Sequence, residues 1–188
     1  LNVSATGSLL EAARVLGLSH FVFASTVWVY EASDETNVDE TTPLRPDGAK
    51  HLYTAEKIAG ELLVNSYSQL FNVPTTVLRY GIPYGPRMRE QLVIPIFIKK
   101  ALSGQPLTIS GKGEQYRNFV FVRDMADAHV LAMKEDAANQ TYNLEGTRKV
   151  TVLEVAEGIK KVLGDQVQLD FVPARPGDFG GKEVTAKK

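Results

Sequence analysis

Residues 20–25 read His-Phe-Val-Phe-Ala-Ser and residues 75–79 read Thr-Thr-Val-Leu-Arg. Both are short apolar-rich runs without strict alternation, as expected of strands buried on both faces of a parallel sheet. Between them, Leu52 to Phe71 sets Ala55, Ile58, Ala59, Leu62 and Leu63 on one side of a helix, and Asn72-Val73-Pro74 stops it. Ahead of the first strand, Ser8 to Leu18 places Leu9, Leu10, Ala13 and Leu16 near helical period and ends at Gly17. Residues 31–50 are acidic, then rich in Pro, Thr and Gly, and read as a long loop of the kind that often carries function. Helix, strand, loop, helix, strand is the rhythm of a parallel α/β sheet. Two such strands leave apolar faces and a bare edge, so this region is expected to be marginal alone.

Beyond Pro86 the character changes. The pattern predicts a helix over Ile94–Leu102, a strand at Leu107–Ile109 before the turn Gly111-Lys112-Gly113, a strand over Phe119–Val122 and a helix over Asp124–Met133. A strand is expected at Tyr142–Leu144. Thr151 with Glu154 forms a capping box that opens a helix ending at Gly164, and a last strand spans Gln168–Val172. The fold class is α/β: part of a parallel sheet plus a smaller mixed α/β domain.

Bulk properties exclude several functions. The 188 residues carry a net charge of -1, which gives no overall attraction to nucleic acid or an anionic membrane. There is no cysteine, and His20, His51 and His129 lie too far apart for metal-ligand spacing, so no metal site is expected. No apolar run approaches the roughly 20 residues of a membrane span, and the start is not a signal peptide. The chain also lacks an initiator methionine, so it is read as beginning inside a longer protein, of cytoplasmic character.

Tyr53 and Lys57 stand four apart on the predicted helix, hence on one face. An ammonium so placed can stabilise a phenolate. A free tyrosine ionises near pH 10, so acting as a base at neutrality requires a drop of about 3 units, or about 4 kcal/mol. A lysine, a nicotinamide charge and a helix N-terminus are physically capable sources. The spacing alone is common and fits an exposed helical pair equally well. Thr26 adds weight, because it follows the strand directly, and open α/β sheets place their ligands at strand C-termini.

The ordered set of motifs resembles the extended short-chain dehydrogenase/reductases, specifically the NAD-dependent epimerase/dehydratase (nucleotide-sugar epimerase) family. Its parts are Asn2-Val3 with Leu9 to Arg14, then Phe21 to Tyr30, Tyr53 to Lys57 with Glu61, and Leu78-Arg79-Tyr80 with Tyr84 to Arg87. Gly111 to Asp124, Tyr142 to Leu144 and Arg175 to Asp178 follow in the same order. The resemblance covers nearly the whole chain. It implies a partial NAD-binding Rossmann domain over 1–83 and a mainly substrate-binding domain over 84–188, with about 117–148 returning to the Rossmann sheet. It makes Tyr53 the general base and acid, with Lys57 lowering its pKa and holding the nicotinamide ribose. Thr26 becomes the hydroxyl of the Ser/Thr-Tyr-Lys set, and Ser25 and Tyr80 are further cofactor contacts. Arg117 and Arg175 match arginines that grip a nucleotide diphosphate, as guanidinium forks suit phosphate oxygens, and Asp178 matches a holder of ribose hydroxyls. The cofactor implied is NAD, with NADP left open, the partner a nucleotide-diphosphate sugar, and the assembly a homodimer packed through helices like 2–17 and 52–71.

Three departures qualify the resemblance. Ile82 stands where the family carries an Asn that helps bind the sugar nucleotide, and Glu31 where a Gly is usual. Val27-Trp28 replace the Asp-Glu that 4,6-dehydratases use to eliminate water, which argues against a dehydratase. The Gly-rich phosphate loop is also absent from the sequence, so this stretch alone is expected to bind NAD poorly and to be inactive. The leading expectation is therefore a UDP-glucose 4-epimerase-like enzyme. A reductase or dehydrogenase of the same family acting on a non-sugar substrate, and a non-catalytic NAD(P)-sensing protein, are the alternatives.

Overall fold

The computed structural model describes residues 2–174 and 183–186. In chain order the elements are α1 (Asn2–Leu16), β1 (Phe21–Thr26), β2 (Asn37–Val38), α2 (Leu52–Phe71), β3 (Thr75–Tyr80), β4 (Ile82–Tyr84), α3 (Val93–Leu102) and β5 (Leu107–Ser110). Then come β6 (Tyr116–Arg117), β7 (Phe119–Phe121), α4 (Val122–Leu131), β8 (Gln140–Leu144), β9 (Val150–Thr151), α5 (Val152–Leu163), β10 (Leu169–Val172) and β11 (Glu183–Val184). The chain divides into two compact units. One comprises Leu1–Gly81, Arg123–Glu145 and Lys182–Lys188, and the other Ile82–Val122 and Gly146–Gly181.

The first unit is built on a parallel sheet of order β1-β3-β8. Thr26 lies beside Tyr80, and Tyr80 beside Leu144, at its C-terminal end. The sheet's apolar side packs on α1 and α2 through Leu10, Phe23, Val64 and Val77. Gly60 allows the close approach: a Cβ there would collide with the Phe23 ring. Asn72 ends α2 in the left-handed conformation (φ 54°), where an asparagine is tolerated. A second cluster (Val29, Tyr30, Val38, Ile58 and Val184) seals the loop side, with β11 pairing parallel to β2.

The second unit pairs β10 with β5, β4 with β7 and β6 with β9. Leu107 and Ile109 point into a core with Phe97, Ala156 and Val167, while Thr108 and Ser110 face the other way. The capping box at Thr151 and Glu154 is present as read, and both reciprocal bonds form.

Several boundaries differ from the sequence reading. α1 begins at Asn2 because its first buried residue is the polar Thr6, whose hydroxyl donates to the Asn2 carbonyl. The strand read to Val122 stops at Phe121, and α4 starts at Val122 and ends at Leu131. The loop 31–50 contains β2 and a short 3-10 turn at Pro46–Gly48.

Candidate active site

Helix α2 presents Tyr53 near its start and Lys57 one turn later. The Lys57 ammonium donates to the Ala24 carbonyl at 2.8 Å and lies 5.9 Å from the Tyr53 ring centroid and 5.2 Å from that of Phe23. Burial holds its pKa below the ordinary lysine value, with Glu56 pulling weakly the other way. Tyr53 is 49% exposed, and its hydroxyl makes no hydrogen bond within the described residues. Lys57 thus joins the tyrosine face of α2 to the end of β1, two residues before Thr26.

Thr26 is buried. Its hydroxyl donates to the Tyr80 carbonyl at 3.5 Å and accepts from the Trp28 amide at 3.3 Å, capping the 3-10 turn Val27–Tyr30. Tyr80 is part of the same cluster. Its hydroxyl bonds His129 Nε2, and His129 Nδ1 donates to the Met125 carbonyl at 2.6 Å, which leaves Nε2 as the acceptor. The Tyr80 phenol is pushed above its ordinary pKa by burial, and further by the neighbouring Tyr53. Trp28 packs edge-on to His51 at 6.2 Å between ring centroids.

Ser25 is placed differently from the other predicted contacts. It is buried, and its hydroxyl donates to Glu61 Oε1 at 2.5 Å instead of facing solvent. Arg117, in the second unit, lines a cavity of about 330 Å³ together with Lys100, Thr108, Ser110 and Gln115 on its polar side. Lys100 Nζ donates to Thr108 Oγ1 at 2.6 Å. Among the described residues that line it, Lys100 and Arg117 are the charged ones, both cationic. Lys100, Thr108 and Ser110 were missed in the sequence. The available signal was the alternation of Leu107-Thr108-Ile109-Ser110, which turns both hydroxyls away from the core. Arg175 and Asp178 lie outside the described residues. Among the described residues no cluster of metal-ligating side chains occurs and no helix is long and apolar enough to cross a membrane.

The sequence model of the NAD dependent epimerase/dehydratase family matches residues 1–144. The chain belongs to this family. Among curated proteins, this epimerase/dehydratase chain is 35% identical over 171 residues to the uncharacterized UDP-glucose epimerase YtcB of Bacillus subtilis, covering 90% of this chain and 53% of that protein. Among solved structures it superposes with TM-score 0.87 and 27% identity on a UDP-N-acetylglucosamine 4-epimerase from Methanobrevibacter ruminantium in complex with UDP-N-acetylmuramic acid, covering 99% of this chain and 60% of that one. A UDP-glucuronic acid 4-epimerase from Bacillus cereus in complex with UDP-glucuronic acid and NAD gives TM-score 0.82 at 29% identity, covering 98% and 58%. The epimerase/dehydratase chain therefore spans between half and about 60% of the length of these relatives.

Proposed function

We propose that this epimerase/dehydratase chain carries the proton-transfer and nucleotide-binding residues of a UDP-sugar 4-epimerase that uses NAD. The observation that carries the reading is the joining of Tyr53, Lys57 and the end of β1 through the Lys57–Ala24 bond. Among the described residues Lys57 gives one donor to Ala24 and keeps two N–H groups for ribose hydroxyls, and the Tyr53 hydroxyl is uncommitted at a half-exposed position. These residues fit the nicotinamide end of the cofactor. Bound NAD would supply the acceptor and later the donor of hydride at the sugar carbon. Tyr53 takes the proton from the sugar hydroxyl and returns it, Lys57 favours the phenolate, and Thr26 orients the hydroxyl. Tyr80 closes one side of this cluster.

In this reading the first unit holds the cofactor and the second the nucleotide. Arg117 and Lys100 face the diphosphate, in a cavity of nucleoside size. Arg175 and Asp178 complete the assignment as sequence-based proposals. The protein works in the cytoplasm as a homodimer through α1 and α2, whose Leu9, Leu16, Leu62 and Leu70 are exposed. Ile82, in place of the family's Asn, supports a second reading, reduction of a non-sugar substrate. The two cations in the cavity lining, Lys100 and Arg117, weigh against it.

The test supplies the full-length protein with NAD and UDP-glucose and follows inversion at C4 by proton NMR. Tyr53→Phe is expected to lose about 10²–10⁴-fold in kcat. Saturation-transfer signals from UDP-sugars should weaken on Arg117→Ala. Wild-type turnover by Tyr53→Phe would remove the catalytic assignment, and sugar-nucleotide binding indifferent to Arg117→Ala would remove the substrate assignment.

A further inference from the structure

One run of buried hydrogen bonds ties α2 to three strands, and the proposed proton transfer does not use it. Glu61 accepts from Ser25 Oγ at 2.5 Å and from Arg79 Nε at 3.0 Å and Nη2 at 2.6 Å. Arg79 Nη1 donates to the Tyr30 hydroxyl at 2.5 Å, and that hydroxyl donates to Asn143 Oδ1 at 2.9 Å. The Asn143 side-chain amide then donates to the Thr185 carbonyl at 3.0 Å. Ser25, Glu61, Arg79, Tyr30 and Asn143 are all buried.

A buried ion pair is a poor device for stability alone, because apolar residues of similar volume are often as good or better. It is a good device for geometry, since a guanidinium fork on a carboxylate fixes direction as well as distance. The placement gives that geometry a use. Glu61 follows Lys57 by one turn of α2, and Ser25 follows Ala24 by one residue of β1. Helix and strand therefore interlock at two successive points, Lys57 on the Ala24 carbonyl and Glu61 on the Ser25 hydroxyl. Arg79, the strand neighbour of Ser25 in β3, holds both oxygens of Glu61.

We infer that Ser25 and Glu61 are positioning residues: their bond, anchored by Arg79, sets the level at which β1 ends along α2, and with it the place of Thr26 relative to Tyr53 and Lys57. This rests on the reading of Tyr53 and Lys57 as the proton-transfer pair. Ser25 then acts through Glu61 and not as a cofactor contact.

Ser25→Ala removes one hydrogen bond and no charge, so it tests position without exposing a buried ion. In the full-length protein its kcat is expected to fall about ten- to hundredfold, while KM for the sugar nucleotide stays within about twofold. Independently of turnover, the Lys57 titration followed by ¹³Cε NMR should move up toward the ordinary lysine value, because a loosened strand end admits water to the ammonium. Glu61→Gln, which keeps the shape, should move both readouts further in the same directions. Loss of melting temperature with kcat and the Lys57 titration unchanged would reduce the network to a structural role and overturn the inference. Should Tyr53→Phe turn over normally, the catalytic reading fails by itself, and the Lys57 titration alone then decides whether Ser25 positions that amine.

Discussion

The two units handle charge in opposite ways. The first buries an arginine and a glutamate together, with every polar atom of the fork engaged. The second keeps a half-buried lysine against an open cavity, where among the described residues it bonds a threonine hydroxyl and meets no acid in the lining. A charge neutralised by its own chain can serve only to hold the chain in place. A charge left facing space invites a counter-charge from outside. Within one fold, the pairing of a cation therefore separates scaffold from binding surface, and the contrast can be tested at each end.

The largest effect is expected where a buried pair is broken. Arg79→Met, which strands Glu61, should cost about 3–5 kcal/mol in urea unfolding. The double variant Arg79→Met/Glu61→Leu should recover most of that loss without restoring turnover. A double variant as unstable as the single one would mean that the pair itself, and not the stranded carboxylate, dominates. Next comes Glu145, at the end of β8. Burial pushes its carboxyl up to about 8, and its Oε2 has no hydrogen-bond partner among the described residues. The folded chain then keeps a proton that the unfolded chain releases above its ordinary carboxylate value, so the contribution of Glu145 to stability is greatest in acid and declines as pH rises toward 8. A decline of about 2–4 kcal/mol between pH 5 and 8.5 is expected. Glu145→Gln should flatten it, and a wild-type profile already flat over that range would contradict the burial argument. The smallest effect belongs to the open cation: Lys100→Met should weaken UDP binding about tenfold, or about 1.4 kcal/mol. Uridine should bind both forms alike, and added salt should shrink the UDP difference. An equal loss for uridine would move Lys100 from the diphosphate to the base.

What could be read from the sequence was what is local. Helix α2 was legible end to end, because its periodic face is closed by Asn72 and Pro74 within three residues. The capping box at Thr151 and Glu154 spans four residues and was equally plain. Tyr53 and Lys57 could be singled out because one helical turn relates them. The Ser25–Glu61–Arg79 fork could not, since its members come from two strands and a helix and meet only after the sheet has formed. α1 was read six residues short because Thr6, the residue it buries first, carries a hydroxyl, and a hydrophobic pattern cannot count it. β4, Ile82-Pro83-Tyr84, pairs with β7 over three residues, and a proline in so short a run reads as an interruption. Lys100 was silent for another reason: a lysine on a helix is ordinary until a hollow beside it is seen.

The parallel pairing of β11 with β2 has a consequence for how the chain is made. Val38, 1% exposed, is covered by Val184 in the same cluster, so a strand from residues 37–38 waits for one at 183–184. Contacts that close so wide a loop form late and slowly. While a ribosome is still adding the intervening residues, this apolar patch lacks the Val184 part of its cover, and a nascent chain paused there would be a natural client for a chaperone.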